Sequence, residues 1–340
     1  MNTQLENLKN FIQKYNKEAL LPYEVGPLLY SPATNSKISE TILSGRLGNH
    51  YSVALCLEDA IHENAVEYGE QQVISTFKTL FHHTVSSKLP KLFIRVKTPE
   101  QIKKLYHLLG DSVNILTGFI FPKYSLQNAE EYHSNFMEIN ALSNHPIYMM
   151  PILESGDIIN LKDRHSTLYA IKELLQPIRS HVLNIRVGGN DFCHYFGIRR
   201  HFDETIYGIQ AIASILGDII TVFSKDFVVS GPVWEYFSSQ NDEWELGLRK
   251  EIKQDLLNGF IGKTVIHPNQ VSVVADSLKV SKEDFHDAWD VLHCQNQMLQ
   301  VEKSHSGQRM NEIKTHTNWA EKQLILSYLY GIQHEAERNQ

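Results

Sequence analysis

The sequence predicts a (β/α)8 barrel, a closed ring of eight parallel strands that alternate with helices. Eight short apolar, β-branched or aromatic runs recur along the 340 residues, and their starts lie about 25 to 45 residues apart, the spacing that one strand and its helix require. An open doubly wound sheet is the alternative. That fold expects a glycine-rich dinucleotide motif after its first strand, and GPLLYSPATN lacks GxGxxG. The barrel is therefore the favoured interpretation.

The eight predicted strands follow one another in order, with helical patterning between them. They are GPLLYSP (26–32), YSVALCLED (51–59), KLFIRVK (91–97), GFIFPK (118–123), HPIYMMPILES (145–155), HVLNIRVGGND (181–191), KDFVVSGPV (225–233) and KTVIHP (263–268). Several helical segments, such as PEQIKKLYHLLG, open on or near an acidic residue and close on glycine, as helix ends prefer. We therefore expect one barrel domain over residues 25–298, with helical extensions at 1–24 and 299–340. The second extension is a candidate subunit interface.

The composition is that of an ordinary globular protein, with 42% hydrophobic and 21% charged residues. A formal net charge of −7 gives no general attraction to nucleic acid or to anionic lipid, so neither is expected as a partner. Three cysteines without a CxxC pair indicate neither a disulfide framework nor a zinc site, and they fit a reducing cytoplasm. No run reaches about 18 apolar residues and the N-terminus lacks an apolar signal core, so we expect neither a membrane span nor export.

Polar residues stand where several of the predicted strands end. In (β/α)8 enzymes the active site lies at the carboxyl ends of the strands, so these positions carry more weight than polar residues elsewhere. They are Glu58 and Asp59 on strand two, Arg95 on strand three, Lys123 on strand four, Glu154 on strand five, Asp191 on strand six and His267 on strand eight. Each one alone would most often be a cap or a solvated end, but their joint placement predicts an active site.

Glu154 and Asp191 are two carboxylates on neighbouring strand ends. Because adjacent strands lie about 4.8 Å apart, the two groups should come within several ångströms, where anions repel unless a proton or a cation intervenes. Oxygen ligands from few protein groups suit Mg²⁺, with Mn²⁺ as a substitute. The alternative is a structural pair that is bridged by Arg186 or Arg95.

Other polar residues leave alternatives open. Arg95 could hold a carboxylate or an enolate oxygen through two hydrogen bonds. Lys123 in GFIFPKYS could form a Schiff base if the barrel desolvates it, although electrostatic or structural service ranks higher. His267 precedes a proline and is expected to fix the eighth strand-to-helix turn. Cys193 has no activating base nearby in sequence, so a thiol nucleophile is a weak alternative.

Seven motifs, in this order, resemble the citrate lyase β-subunit and HpcH/HpaI aldolase superfamily. They are PLLYSPATN, VALCLEDAI, FIRVKTPEQ, GFIFPKYS, PILESGDII, RVGGNDFCHYFGIRR and GFIGKTVIHPNQV. Three further motifs, VVSGPVWEYF, GIRRHFDETIYG and MNEIKTHTNWAEKQL, resemble the branch described as C–C bond lyases of the TIM-barrel fold. That branch is associated with tellurite-resistance and stress-response gene clusters, and the resemblance covers nearly the whole chain.

The resemblance implies a metal-dependent lyase that breaks or forms a C–C bond beside a carbonyl. The enolate half of its substrate would be a short 2-oxo acid or an acyl-CoA thioester. By the resemblance, Glu154 and Asp191 are the two Mg²⁺ ligands, and Arg95 binds the carboxylate or the enolate oxygen of the substrate. Glu58 and Asp59 match the acidic pair of the second-strand motif, where a water-mediated role is usual.

Two positions differ from the superfamily pattern. Ser230 stands where citrate-lyase-like members typically have an aspartate on strand seven. Several members use a C-terminal aspartate, often from a neighbouring subunit, as catalytic acid or base. Glu312 is the nearest carboxylate in this chain and is the candidate for that role. The resemblance also implies a homo-oligomer, a trimer or a hexamer.

The leading hypothesis is a cytoplasmic, Mg²⁺-dependent C–C lyase or aldolase that acts through a metal-stabilised enolate of a small carboxylate or an acyl-CoA. Lys123 is a second candidate for binding the substrate. One alternative is a Schiff-base aldolase that uses Lys123 as its nucleophile. Another is a barrel without catalytic activity that binds a ligand or serves assembly in a stress-response pathway.

Overall fold

The computed structural model describes residues 2–83, 88–294 and 299–333. The chain divides into two compact units, a barrel unit of Val25–Val274 and a terminal unit of Met1–Glu24 with Ala275–Gln340. The predicted barrel domain extended to residue 298, so the division differs from the expected one over residues 275–298. The reason is that the helix Lys282–His293 packs against the helix Ile313–Tyr330 of the same terminal unit.

Eight parallel strands form the barrel unit, as the sequence predicts. They are β1 (Pro27–Pro32), β2 (Ser52–Cys56), β3 (Lys91–Arg95), β4 (Leu116–Phe121), β5 (Tyr148–Leu153), β6 (Ile185–Val187), β7 (Val229–Ser230) and β8 (Lys263–Val265). The strands pair in order from β1 to β7, and β1 also pairs with β8. A parallel bridge between Gly231, which follows β7, and Lys263 of β8 joins the remaining edges. The (β/α)8 fold is confirmed.

Helices alternate with the strands along the barrel unit and also form most of the terminal unit. In chain order they are α1 (Asn2–Ile12), α2 (Lys17–Glu24), α3 (Ile38–Leu43), α4 (Val66–His82), α5 (Glu100–Leu109), α6 (Ala129–Leu142), α7 (Gly156–Ile159), α8 (Arg164–Leu175), α9 (Gly189–Phe196), α10 (Gln210–Phe223), α11 (Glu243–Leu257), α12 (Pro268–Ser277), α13 (Lys282–His293) and α14 (Ile313–Tyr330). In α5 the buried residues Ile102, Leu105 and Leu109 recur at helical spacing, so one face of the helix is apolar. The helix packs against α4 and α6.

The register of two strands decides which side chains meet at the barrel mouth. Leu153 of β5 pairs with Val187 of β6, so the next residues along the two strands, Glu154 and Gly188, are neighbours. Asp191 follows in the first turn of α9. Glu154 therefore directly follows β5, whereas strand six, predicted to end at Asp191, ends at Val187 and leaves Asp191 in the helix that follows.

A buried ion cluster ties β8 to α11 beside the shortest strand of the ring. The ammonium of Lys263 lies 2.9 Å from Oε1 of Glu251 and 2.8 Å from Oδ2 of Asp255. Arg200 also contacts Glu251, and all four residues are buried. Because an unpaired charge is costly inside a protein, the cluster is stable only while its partners are complete.

The terminal unit consists of helices and a small antiparallel sheet. Its strands are β9 (Val301–Lys303) and β10 (Met310–Glu312), which the sequence reading did not anticipate. Helix α14 packs against α13, α1 and α2, and the Tyr330 hydroxyl donates a hydrogen bond to the backbone oxygen of Tyr23 at 2.7 Å. These contacts hold α1 and α2 against α14. In neither unit does a described helix have the length and apolar character needed to cross a membrane.

Candidate active site

The carboxylate of Glu154 is buried where β5 ends, and the residue is only 5% exposed. Its Oε1 accepts a hydrogen bond from the backbone N–H of Lys123 at 2.9 Å and lies 3.4 Å from Nη2 of Arg95. A Cβ atom on Gly188 would collide with Cβ and Oε2 of Glu154 and would stand 3.1 Å from Oδ2 of Asp191. A glycine at position 188 therefore makes room for both carboxylates.

Lys123 reaches the two carboxylates with different groups. Its φ of 49° lies in the left-handed region, which is uncommon for residues other than glycine and often marks a functional site. While the backbone N–H donates to Glu154, the side-chain Nζ contacts Oδ1 of Asp191. Nζ also lies 3.7 Å from Oε1 of Glu154 and 3.5 Å from Oδ2 of Asp59. The carboxylates are thus gathered around one ammonium group.

Arg95 bridges the ends of the second and fifth strands. Its Nη2 lies 2.6 Å from Oε2 of Glu58, 3.1 Å from Oδ2 of Asp59 and 3.4 Å from Oε1 of Glu154. The backbone N–H of Asp59 donates to Oε2 of Glu58 at 2.8 Å, which fixes that carboxylate. Arg95 is 6% exposed. The guanidinium therefore contacts Glu154 from the buried side of the site.

Carboxylates outnumber cations in this group of side chains. It contains the carboxylates of Glu58, Asp59, Glu154 and Asp191 and the cations of Arg95 and Lys123. When all four carboxyl groups are ionised, they exceed the two cations by two negative charges. Such a cluster attracts a further cation, because neighbouring anions in a partly buried site favour any charge that neutralises them.

The pKa values of the carboxyl groups reflect burial and their neighbours. Burial raises the pKa of Glu154 to about 7, and the opposing charges of Arg95 and Lys123 offset this only in part. Burial also raises the pKa of Glu58, against the effect of Arg95. Burial acts in the same direction on Asp59, but the hydrogen bond with Glu58 and the two cations outweigh it and lower the pKa of Asp59.

Glu154 and Asp191 are the residues that could hold a metal ion here. Across the ranges that the structure describes, no group of three or more His, Cys, Asp or Glu side chains is arranged around a metal position. A closed site made by the protein alone, such as structural zinc, therefore does not fit. Mg²⁺ binds through one or two carboxylates and keeps several waters or substrate oxygens, and this donor set fits it.

A cleft of about 450 Å³ opens beside these carboxylates. Residues that line it include Lys123, Glu154, Asp191, Gln127, His194 and Tyr195. Arg95, Glu58 and Asp59 are not among the described residues of the lining. Lys123, whose side chain is 42% exposed, is therefore the cation of the cluster that faces the cleft. The volume suits a small organic substrate.

Arg186 does not bridge the two carboxylates, so the alternative that assigned the bridge to Arg186 is wrong. Its Nη2 donates to Oγ1 of Thr264 at 2.6 Å, and its Nη1 donates to Oδ1 of Asn184 at 3.4 Å. The cations that contact the pair are Arg95 at Glu154 and Lys123 at both carboxylates. The sequence could not show which arginine contacts Glu154, since both Arg95 and Arg186 lie on strands of the barrel.

Three further residues that the sequence analysis named have contacts or burial that suit a structural role. Nδ1 of His267 accepts a hydrogen bond from the backbone N–H of Asn269 at 3.2 Å, as expected of a residue that fixes a turn. The hydroxyl of Ser230 donates to the backbone oxygen of Ile261 at 2.9 Å. Cys193 is buried, and burial raises the pKa of its thiol, which disfavours the thiolate that a nucleophile needs.

Glu312 lies in the terminal unit, at the end of β10, and is exposed. Its Oε2 accepts a hydrogen bond from the Thr315 hydroxyl at 3.1 Å, and its backbone N–H donates to Nδ1 of His316 at 3.0 Å. These are contacts at the start of α14. A role for Glu312 as acid or base stays a prediction.

Sequence reasoning missed several residues of this site. The signal for Gly188 was the glycine pair in RVGGND, since glycine is used where other groups approach the backbone closely. His194 and Tyr195 follow Asp191 by three and four residues, so helical spacing could have put them on the same face of α9. Gln127 carried no such signal, because it lies in the loop after β4.

Comparison with known proteins identifies the family. The family model for the C–C bond lyases of the TIM-barrel fold matches residues 19–332, which is most of the chain. The chain belongs to this family. The predicted resemblance to the C–C bond lyases of the TIM-barrel fold is thus confirmed. A search of curated proteins found no match. A link of this lyase to tellurite resistance or stress response stays a prediction.

Solved structures resemble this lyase in fold. A citrate lyase from Burkholderia xenovorans LB400 has a TM-score of 0.65 at 11% identity, with 91% of this chain and 93% of that chain covered. The protein CitE from Mycobacterium tuberculosis, in complex with magnesium, acetoacetate and coenzyme A, has a TM-score of 0.57 at 16% identity, with coverages of 90% and 99%. At these identities the likeness shows the shared barrel fold.

Proposed function

We propose that this protein is a Mg²⁺-dependent lyase that cleaves or forms a C–C bond through the enolate of a 2-oxo acid or an acyl-CoA. The observation that carries the proposal is the pair of Glu154, directly after β5, and Asp191, in the first turn of α9 after β6, in a cluster with more carboxyl groups than cations. Glu154 is buried and its pKa is raised, which means that its ionised form is destabilised in the metal-free site. A divalent cation beside it would stabilise that ionised form.

Each side chain has a distinct part in this proposal. Glu154 and Asp191 hold the ion, and Arg95 fixes Glu154 in place. A bound Mg²⁺ would supply Lewis-acid stabilisation of the enolate oxygen. Lys123 faces the cleft and offers its ammonium to the carboxylate of the substrate. Arg95, which is buried beside Glu154, adds a preorganised positive charge to the site. Such charges lower the free-energy barrier to forming an enolate.

Glu58 and Asp59 complete the site by orienting Arg95. Both carboxylates lie within 3.1 Å of its Nη2, and such contacts fix a guanidinium in one orientation. In this proposal they act through Arg95 and Lys123 rather than on the substrate. The direct substrate contact that the sequence reading assigned to Arg95 belongs more naturally to Lys123, because the cleft reaches Lys123 and Arg95 is buried.

The substrate class rests partly on known relatives. CitE from M. tuberculosis was solved with magnesium, acetoacetate and coenzyme A, which supports a small carboxylate or a CoA thioester as the ligand class here. A homo-oligomer is part of the proposal through the family resemblance, and a cytoplasmic location is part of it because the three cysteines form no CxxC pair. The Schiff-base alternative is less well supported. Burial would lower the pKa of Lys123, but Glu154, Asp191 and Asp59 outweigh it and raise that pKa, which keeps the amine protonated.

The test is metal-dependent proton exchange. Pyruvate, oxaloacetate and acetyl-CoA are incubated in D₂O with the protein and Mg²⁺, and deuterium entry beside the carbonyl is followed by NMR. We expect exchange on at least one compound that EDTA abolishes and that Glu154→Gln and Asp191→Asn reduce by roughly 10²-fold or more. The control Glu173→Gln, an exposed carboxylate of α8, should leave it unchanged.

Three results would contradict the proposal. Exchange that is indifferent to EDTA and to both variants would exclude the metal site, and trapping of Lys123 by borohydride with pyruvate would favour the Schiff-base aldolase. No exchange on any compound, with or without metal, would favour a barrel that only binds a ligand.

A further inference from the structure

We propose that His194 is the general acid and base of this lyase. In the cleavage direction it takes the hydroxyl proton of a β-hydroxycarbonyl substrate, and it then returns the proton to the enolate carbon. The inference deepens the proposed function and rests on it. It names the proton-transfer group that the carboxylates and cations of the mouth do not supply.

The position of His194 is the first support. It lies on α9 three residues after Asp191, and Tyr195 follows, so all three occupy one face of the helix. The same three side chains line the cleft that contains Glu154 and Lys123. A substrate that fills this cleft and reaches the carboxylates would therefore lie against the imidazole.

The availability of His194 is the second support. Lys123, Glu154 and Asp191, the charged groups that line the same cleft, are engaged with one another. The imidazole of His194, by contrast, makes no hydrogen bond and no ion pair with any residue that the structure describes, and the residue is exposed. It is free to bond to a substrate.

The chemistry of the cleft is the third support. Histidine is the side chain that most often serves as general acid or base, because imidazole both accepts and donates a proton near neutral pH. The neighbouring Tyr195 also lines the cleft, but tyrosine serves as general acid or base less often than histidine does. The barrel unit thus contains its own proton-transfer group, independent of Glu312.

The step balances without another reactant. The imidazole removes the hydroxyl proton, the oxygen forms the new carbonyl, and the C–C bond breaks with its electron pair passing to the enolate. The aldehyde or ketone half leaves. The imidazolium then donates the same proton to the enolate carbon, which becomes a methyl group when the enolate is that of pyruvate. In reverse, the imidazole removes a methyl proton, so exchange into pyruvate reports on this residue.

The experiment uses the full-length protein with Mg²⁺ and compares His194→Gln with the parent. Exchange of the pyruvate methyl protons is measured by NMR between pH 5.5 and 8.5, and Mg²⁺ affinity is measured by calorimetry. We expect the exchange rate at saturating Mg²⁺ to fall roughly 10²- to 10⁴-fold, with unchanged Mg²⁺ affinity. Added imidazole should restore part of the rate in His194→Gly. The control His201→Gln changes an exposed histidine that is not part of the cleft lining.

The outcomes separate the two proposals. If the parent exchanges and His194→Gln keeps the parent's rate and pH profile, His194 is not the acid or base, while the proposed function stands. If His194→Gln loses both exchange and Mg²⁺ affinity, the residue acts through the metal site and the inference is wrong. If the parent shows no metal-dependent exchange on any compound of the panel, the proposed function fails and the role of His194 fails with it.

Discussion

The ammonium of Lys123 contacts the carboxylate of Asp191, and the backbone N–H of the same lysine donates to Glu154. One residue in the left-handed backbone region thus holds both carboxylates of the candidate metal site. Its Nζ stands where a positive charge between the two groups is most favourable. A divalent cation that binds there has to compete with this ammonium.

Replacing Lys123 should therefore strengthen metal binding while it harms turnover. Lys123→Met removes the competing charge, and the loss of a repulsion worth about 1.4 kcal/mol predicts about tenfold tighter Mg²⁺ binding. Calorimetric titration measures the affinity, with Lys162→Met, an exposed lysine, as the control. Weaker or unchanged binding in Lys123→Met would show that the ammonium and the ion do not share a position.

Gly188 should be intolerant of even one methyl group. In Gly188→Ala the new Cβ collides with Glu154, so that carboxylate must move away from Asp191. We expect Mg²⁺ affinity to fall by about tenfold or more, since a displaced ligand loses a charge-assisted contact. Gly217→Ala in α10, where nothing lies within 4 Å of the new Cβ, is the matched control. Equal loss in both variants would point to a general effect on folding.

Metal binding should depend on pH through Glu154. Burial raises the pKa of this carboxyl to about 7 in the metal-free protein, and only the ionised form binds a cation. Protons therefore compete below pH 7, and the Mg²⁺ affinity should fall by up to about tenfold per pH unit there while it levels off above pH 8. Calorimetry at pH 5.5, 6.5, 7.5 and 8.5 tests this. A flat profile over that range would mean that Glu154 does not carry the titration.

The ion cluster between β8 and α11 should matter for stability rather than for the reaction. Lys263→Met leaves Glu251 and Asp255 buried without their shared cation, and breaking such a pair typically costs about 3–5 kcal/mol. Urea unfolding measures the change. Lys250→Met, at an exposed position of the same helix α11, is the control and should change stability by less than about 1 kcal/mol. A similarly small change in Lys263→Met would show that the cluster contributes little.

Much of the fold was predictable because the signals are local. Each of the eight strands is a short apolar run, and the polar residues that end them, such as Glu58 and Glu154, interrupt those runs visibly. Strand order in a (β/α)8 barrel follows chain order, so the neighbourhood of Glu154 and Asp191 could be inferred without coordinates.

The remaining features depend on contacts between distant segments. Arg186 and Arg95 look alike in sequence, and only the structure shows that Arg186 bonds Thr264 while Arg95 contacts Glu154. The left-handed backbone of Lys123 is a property of its turn and is set by tertiary contacts. The division of the chain at Ala275 follows from helix packing, which has no local signal.

The central claim is that Glu154 and Asp191 together hold one divalent cation. Calorimetric titration of the purified protein with Mg²⁺, and with Mn²⁺ as its substitute, tests it most directly in the parent, Glu154→Gln, Asp191→Asn and the double variant. The account predicts one site in the parent, strongly weakened binding in each single variant and none in the double variant. Binding in the double variant that equals the parent's would contradict it.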